Sequence, residues 1–201
     1  GKAFFPKADL IILAIYPTLI RAFVEQNQAL FKKGCIVTDT TGIKRPFIRE
    51  ITEALPEGVD FVFGHPMAGR EKKGIDLVES LVKQMGFGRV RRITPELHDE
   101  MIGYTSQLPH AMAVALINSD EEGRDTGSFI GDSYRDLTRI ANINETLWSE
   151  LFLGNKENLL AAIGRFEAQL DEIKDAIQAD DAGALCRMFQ ASTRRRELLE
   201  K

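Results

Sequence analysis

Residues 10–39 read LIILAIYPTLIRAFVEQNQALFKKGCIVTD and contain one helix signal with a strand signal before it and another after it. The run at residues 10–15 is continuously apolar, as expected of a parallel strand that is covered on both faces. Residues 18–33 carry apolar side chains at helical spacing, and Gly34 ends that segment. Residues 35–38 are again largely apolar and predict a second strand. This succession indicates a βαβ unit of a parallel sheet.

The alternation of strands and helices continues for one more repeat and then stops. A helix signal at residues 45–55 and a strand signal at residues 59–63 extend the pattern, whereas every signal from Thr94 onward is helical. We therefore predict an α/β fold with a Rossmann-type parallel sheet in residues 1–93. An all-helical domain is predicted in residues 94–201.

The glycine-rich phosphate loop of dinucleotide-binding sheets has no counterpart in this sequence. No G-x-G-x-x-G motif follows a first strand, so the usual cradle for a pyrophosphate is absent. We expect the sheet to be incomplete at its N-terminus and the sequence to be part of a longer protein. The residue that selects between NAD and NADP would lie in the missing part.

Composition excludes several classes of function. Of the 201 residues, 44% are hydrophobic and 28% are charged, which is typical of a globular protein. The net charge of -4 provides no basic field for nucleic acid, and the longest apolar run, residues 10–15, is too short to cross a membrane. Cys35 and Cys186 lack the spacing of a metal site or redox motif. We predict two buried thiols, which suits a cytoplasmic protein.

Three loops with unusual residues follow the predicted strands. They are Tyr16-Pro17, residues 39–42 (DTTG) and residues 64–69 (GHPMAG). Because ligands bind beyond the carboxyl ends of parallel strands, we expect these loops to meet at one edge of the sheet. His65 could accept a substrate proton there, although a histidine that only stabilises the loop is an equally good interpretation.

A polar stripe follows the helix predicted from Thr94 to about Asn118. Pro109 lies inside this helix, and we expect a kink there because proline removes a backbone hydrogen bond. The small and polar side chains of the stripe share one face: Gly103, Ser106, Gln107 and His110. This face suits either the wall of a ligand cleft or an ordinary structural contact.

Two later segments also suggest binding. In residues 134–141 (YRDLTRIA), Arg139 lies three residues after Asp136 and four after Arg135, so Asp136 could orient either guanidinium to grip a carboxylate. A solvated ion pair is the alternative. In residues 159–177, apolar side chains repeat at steps of four and three, the pattern of packed long helices. An intramolecular hairpin and a dimer interface explain that seam equally well.

Three motifs occur in a characteristic order. They are residues 64–74 (GHPMAGREKKG), 105–110 (TSQLPH) and 134–158 (YRDLTRIANINETLWSELFLGNKEN). Together they resemble prephenate dehydrogenases of tyrosine biosynthesis, a family that includes arogenate dehydrogenases. The resemblance extends over essentially the whole chain. It implies NAD-dependent oxidative decarboxylation of prephenate to 4-hydroxyphenylpyruvate by a homodimer that forms through the helical domain.

The resemblance also implies roles for individual residues. His65 matches the catalytic histidine, which accepts the proton of the ring 4-hydroxyl while hydride leaves the same carbon for the nicotinamide. Arg139 matches the arginine that binds a substrate carboxylate. His110 matches a histidine of the substrate pocket, where tyrosine binds to related enzymes as an inhibitor. The residues expected to support or gate the substrate site are Gly69, Glu71 and Asp136.

The implied cofactor is NAD, with NADP as the alternative, and the sequence departs from the family near its expected site. The residues expected to face the cofactor are Ala14, Tyr16, Pro17, Asp39 and Thr41. Gly42 stands where many relatives have a serine, so Thr41 is the candidate to supply a hydroxyl. Gln107 stands where relatives often have another histidine, and a strand and loop expected after Gly74 are missing.

Two other functions fit parts of the sequence. A non-catalytic dimerisation or tyrosine-sensing module derived from such an enzyme would explain the absent phosphate loop, but it leaves the intact His65 and Arg139 unexplained. A dehydrogenase of the same architecture that acts on arogenate or another small acid would retain all three motifs.

Overall fold

The computed structural model describes residues 2–65, 68–70 and 75–199. Its sheet has four strands in the order β1 (Leu10–Leu13), β2 (Ile36–Asp39), β3 (Asp60–His65) and β4 (Ala68–Arg70). The first three strands are parallel, with Leu10 opposite Ile36 and Ile36 opposite Asp60. The parallel sheet predicted from the alternating pattern is therefore confirmed.

The strand ends differ from the predicted ones for local reasons. β1 ends at Leu13, two residues early, because the chain bends at Ile15 before it enters the first helix. β3 continues to His65, two residues beyond the prediction, because its last residues pair with β4, which runs antiparallel to it. β4 has only three residues and is too short to show an alternating pattern in the sequence.

Helices follow the strands and cover the sheet. They are α1 (Pro17–Asn27), α2 (Ile48–Ala54) and α3 (Ile75–Gln84). Pro17 begins α1 because the first turn of a helix needs no backbone N–H at that position. The strands, α1 and α2 form a hydrophobic core with Ile11, Leu13, Ile20, Val24, Val37, Ile51, Phe61 and Phe63 among its buried members. This core holds the carboxyl ends of the strands in place.

The chain from Thr94 onward is helical, as predicted. The Thr94 hydroxyl caps α4 (Pro95–Ile102) by accepting the N–H of Leu97 at 3.1 Å. A π-helical turn at Gly103–Gln107 then leads into α5 (Leu108–Asn118). The distortion expected at Pro109 takes this form because proline cannot donate the hydrogen bond of a regular turn. The remaining helices are α6 (Asp132–Thr138), α7 (Glu145–Gly154), α8 (Lys156–Gln178) and α9 (Ala182–Leu199).

The chain divides into two compact units, residues 1–159 and residues 160–201. The first unit contains the sheet and α4 to α7, and the second contains most of α8 and all of α9. In the second unit, the seam residues Leu170 and Ile177 are 53% and 59% exposed. The functional boundary between residues 93 and 94 stays a prediction.

The cysteines differ in their surroundings. Cys35 is a buried free thiol, as predicted, and burial raises its pKa. Cys186 is exposed, so the prediction of two buried thiols is wrong for this residue, because α9 buries none of its side chains in the single chain.

Within the described ranges, no helix has both the length and the apolar character needed to cross a membrane.

Candidate active site at the carboxyl edge of the sheet

A cavity of about 430 Å³ lies where the strand-end loops meet the end of α4, the π-helical turn and α7. Tyr16 and Pro17 after β1, Thr41 after β2, and His65 at the end of β3 all line it. The prediction that these loops meet at one edge of the sheet is confirmed. The helical side of the cavity consists of Ile102, Ser106, Gln107, Leu147, Trp148 and Leu151, and Ala14 also lines the cavity.

His65 is part of a chain of three hydrogen-bonded side chains. Its Nδ1 lies 3.0 Å from Nε2 of His98, and Nδ1 of His98 lies 2.7 Å from Oδ1 of Asp99. His98 and Asp99 are 3% and 1% exposed, so no bulk water competes for these bonds. The bond between His65 and His98 links the end of β3 to α4. We call these three residues the His–His–Asp chain.

Burial keeps His65 neutral at physiological pH. Loss of solvation is the main cause that lowers the pKa of His65 to about 4, the neighbouring His98 and Lys44 contribute to the same shift, and Asp39 and Asp99 oppose it. A neutral imidazole carries one ring nitrogen that can accept a proton. His65 is therefore in the form that a general base requires.

A second group of residues, linked by hydrogen bonds, stabilises the end of β3. The Asp39 carboxylate accepts the N–H groups of Thr41 at 3.0 Å and Gly64 at 2.9 Å. Lys44 Nζ lies 2.6 Å from Asp39 Oδ2 and also donates to the carbonyl oxygens of Thr41, at 2.9 Å, and Gly64. We call Asp39, Thr41, Lys44 and Gly64 the Asp39–Lys44 cluster. Burial lowers the pKa of Lys44, and the Asp39 charge opposes that shift.

The cluster changes how two predicted cofactor residues are understood. Both carboxylate oxygens of Asp39 are occupied within the cluster, so this side chain holds the loop and the end of β3 together. The Thr41 hydroxyl donates to Asp39 Oδ2, with the Ile43 carbonyl 3.1 Å away. The proton of the Thr41 hydroxyl is therefore used inside the cluster, and the contact of this residue with a cofactor stays a prediction.

Asp99 connects the helical region to the loop after β2. Its Oδ1 accepts the N–H of Lys44 at 2.9 Å, and its Oδ2 accepts the N–H of Arg45 at 2.8 Å. The Asp99 carbonyl accepts Nδ2 of Asn155 at 2.8 Å, and Asn155 also donates to Gln107. Gln107 is 1% exposed and donates to the Leu151 carbonyl at 2.9 Å. These bonds hold the two walls of the cavity together.

His110 contributes to the cavity wall through a neighbour. Its ring stacks on Trp148 with centroids 3.7 Å apart and an interplanar angle of 29°. Nδ1 of His110 lies 2.8 Å from the Ser106 carbonyl and must donate to it, since a carbonyl only accepts. Trp148 lines the cavity directly, while His110 does not. The substrate contact expected of His110 stays a prediction.

The structure does not bring Arg139 and Asp136 to this cavity within one chain. Both are exposed, and neither side chain has a hydrogen bond or ion pair with another described residue. The predicted pairing of Asp136 with Arg135 or Arg139 does not form, because Arg135 donates instead to Asp132 at 3.0 Å, one turn before it. Arg139 is thus available to a ligand.

The remaining predicted site residues belong to the loop after β3. Gly69 lies in β4, with its backbone opposite Gly64. Glu71 lies outside the described residues. In the ranges that the structure does cover, no cluster of histidine, cysteine and acidic side chains could hold a metal ion.

Sequence reasoning missed His98, Asp99, Lys44 and Asn155. The signal that could have revealed the first two is an adjacent histidine and aspartate in the first helix after Thr94. Their burial inside the protein was not evident, because both types of side chain are ordinarily exposed on a helix surface.

Comparisons with known proteins agree with this architecture. Residues 3–85 match the family model for the nucleotide-binding domain of prephenate dehydrogenase. Residues 94–191 match the model for its dimerization domain. The match thus covers the sheet region and the helical region separately, in the order predicted, and the predicted fold class is confirmed.

Individual relatives are similar over nearly the whole chain. A prephenate dehydrogenase of Lactococcus lactis is 28% identical over 96% of this chain. A cyclohexadienyl dehydrogenase of Zymomonas mobilis is 26% identical over 96% of this chain and 76% of its own length. The chain spans 62% of the length of the Lactococcus protein.

A solved structure extends the comparison to three dimensions. The crystal structure of prephenate dehydrogenase from Aquifex aeolicus, in complex with hydroxyphenyl propionate and NAD+, superposes with a TM-score of 0.82 at 27% identity. The superposition covers 98% of this chain and 80% of the Aquifex chain. By its two family regions and its fold, the chain belongs to the prephenate dehydrogenase family.

Proposed function

We propose that the protein carries out the NAD-dependent oxidative decarboxylation of prephenate to 4-hydroxyphenylpyruvate, in the biosynthesis of tyrosine. The observation that carries the proposal is a neutral His65 at the edge of the cavity, with one ring nitrogen bound to His98 and the other without a partner among the described residues. Family membership supplies the reaction, and this histidine supplies the base that the reaction needs.

The proposed role of His65 is to accept the proton of the ring 4-hydroxyl. As the O–H electrons form a carbonyl, hydride leaves the same ring carbon. Cleavage of the bond to the ring carboxylate then releases carbon dioxide, and its electron pair makes the ring aromatic. A base that remains neutral down to acidic pH can accept this proton throughout the physiological range.

The cavity fits the reactive end of a nicotinamide cofactor. Its volume of about 430 Å³ is in the range of small-molecule sites, and it lies beyond the carboxyl ends of parallel strands. NAD, when bound, supplies the hydride acceptor. We propose that Ala14, Tyr16, Pro17 and Thr41 border its nicotinamide and that Asp39 acts by holding their loops. NADP is the alternative cofactor.

We propose that Arg139 binds a carboxylate of the substrate. Its guanidinium is exposed and has no partner in the described parts of the chain, so it loses no existing ion pair when it binds an anion. In this proposal, His110 supports the substrate pocket through Trp148. Gly69, Glu71 and Asp136 assist or gate it.

The wider context is also part of the proposal. The exposed seam residues Leu170 and Ile177 favour a homodimer that forms through the helical region. The gap between the two family regions supports a functional boundary between residues 93 and 94. We further propose a cytoplasmic location and inhibition by tyrosine, whose phenol ring resembles that of the product.

The test is formation of reduced cofactor by the full protein with prephenate and, in parallel, with arogenate, each in the presence of NAD or NADP. We expect turnover of prephenate, and His65→Asn should lower kcat by about 10²- to 10⁴-fold, the usual contribution of a general base. Arg139→Ala should raise KM for prephenate, while Arg135→Ala, a matched change on the same surface, should not. No reduction of either cofactor by the full protein would exclude the enzyme. Turnover of arogenate alone would assign it to the alternative substrate.

A further inference from the structure

We propose that His98 and Asp99 act as positioning residues that hold His65 in the one tautomer able to accept a proton from the substrate. The catalytic consequence rests on the function proposed above, whereas the tautomer itself is a property of the folded chain. The juxtaposition that carries the inference is the buried His–His–Asp chain, whose two hydrogen bonds measure 3.0 and 2.7 Å.

The argument starts at Asp99, which can only accept. Its two oxygens already accept the backbone N–H groups of Lys44 and Arg45 at 2.9 and 2.8 Å, and both of these donors are fixed by the main chain. An ionised carboxylate in this setting has no proton to donate. Nδ1 of His98 must therefore carry the proton in its 2.7 Å bond to Asp99.

The next bond follows from the first. In the proposed arrangement His98 is neutral and carries one N–H, so its proton at Nδ1 leaves Nε2 as an acceptor. Nδ1 of His65 must then donate across the 3.0 Å contact between the two rings. Protonation of His65 at Nδ1 leaves its Nε2 unprotonated. Asp99 thus determines, through His98, which nitrogen of His65 can act as a base.

Burial makes this arrangement selective. His98 and Asp99 are 3% and 1% exposed, and reversing either bond would leave two acceptors or two donors facing each other away from water. The main-chain donors of Lys44 and Arg45 also prevent the carboxylate from turning away. A histidine without this support could adopt the other tautomer, in which Nε2 is protonated and cannot accept.

The chain offers a matched pair of substitutions at His98. His98→Asn preserves a short amide that can donate to Asp99 but cannot reach His65. His98→Gln is longer and can place its amide oxygen against Nδ1 of His65. Asparagine and glutamine have similar polarity, so the two variants should have similar effects on turnover if His98 matters only for folding. Thermal unfolding of both variants provides the check on folding.

The first readout is nitrogen NMR of the imidazole rings in the full protein without substrate. Substitution of His65, His98 and His110, the three histidines of these 201 residues, in turn assigns their resonances. We expect Nδ1 of His65 to be protonated in the wild type and in His98→Gln, and the Nε2-protonated form to appear in His98→Asn. An unchanged His65 tautomer in His98→Asn would overturn the inference.

The second readout is turnover of prephenate. We expect His98→Asn to lower kcat about 10²-fold with little change in KM, and His98→Gln to recover most of that loss. Equal losses of kcat in the two variants would also overturn the inference. A wild-type protein that shows the Nδ1-protonated tautomer but no turnover would instead refute the proposed function, so the two failures can be told apart.

Discussion

Replacement of Lys44 by methionine tests whether the Asp39–Lys44 cluster stabilises the carboxyl edge of the sheet. The side chains of Lys44 and Asp39 are 4% and 1% exposed, and their charged atoms lie 2.6 Å apart. Methionine keeps the length of the side chain but removes the charge and the donors to Asp39, Thr41 and Gly64. The variant therefore leaves a buried carboxylate without its counterion.

Removing one partner of a buried ion pair costs about 3 to 5 kcal/mol. Here the Asp39 carboxylate keeps its N–H donors from Thr41 and Gly64, so we expect a loss near the lower limit, about 3 kcal/mol. That is a large part of the roughly 5 to 15 kcal/mol that stabilises a typical domain. The measurement is the free energy of unfolding in urea, with the slope used to check that the transition stays cooperative.

A surface lysine and a double substitution provide the controls. Lys83 also lies 2.6 Å from a carboxylate, that of Glu79, but it is 60% exposed, so Lys83→Met should cost less than about 1 kcal/mol. Asp39→Asn combined with Lys44→Met should cost about 2 kcal/mol less than the sum of the single changes, because no charge is left unpaired. Additive losses, or a loss in Lys44→Met no larger than in Lys83→Met, would refute the reasoning.

Two further predictions concern the end of β3. The pKa of His65 is lowered to about 4, below the ordinary 6.5, so the unfolded chain binds a proton at a higher pH than the folded one. The free energy of unfolding should therefore fall by about 2 kcal/mol, after allowance for partial exposure, as the pH drops from 6.5 towards 4. In urea unfolding, His65→Gln should lack this part of the pH-dependent loss. Gly64→Ala should destabilise the protein by about 1 to 3 kcal/mol and reduce turnover, because a Cβ there would lie 2.7 Å from a threonine hydroxyl and 2.8 Å from a backbone oxygen of β2. Gly88→Ala meets no atom within 4 Å, and a thermal shift as large as that of Gly64→Ala would contradict the steric argument.

The site owes its rigidity to bonds between distant parts of the chain. Asp99 joins α4 to the loop after β2, and Lys44 in that loop joins it to the end of β3. His65 therefore sits where two buried hydrogen-bond systems meet. A substitution in either system should change the position or tautomer of His65 without removing a substrate contact. Because the same bonds stabilise the fold, we expect stability and catalysis to vary together at this edge.

Local sequence patterns were sufficient to predict the sheet and the helical region. Continuous apolar runs identify the parallel strands, although Ile12 in β1 is 54% exposed and not covered as the run predicted. The threonine and proline at residues 94 and 95 mark the start of the helical region. The order of loops at the strand ends also predicted that Tyr16, Thr41 and His65 would line one cavity. These features depend on neighbours in the sequence or on the general geometry of parallel sheets.

Only the tertiary structure decided which polar side chains are buried together. The bonds from Asp99 to Lys44 and from His65 to His98 span 55 and 33 residues, and no local pattern encodes a contact at such separation. Burial turns an ordinary helix histidine and aspartate into a system that orients His65, since only exclusion of water makes each donor and acceptor obligatory. The structure likewise shows that the polar atoms of Asp39 and Thr41 bond to one another, a contact that the local sequence did not reveal, while their contact with a cofactor stays a prediction.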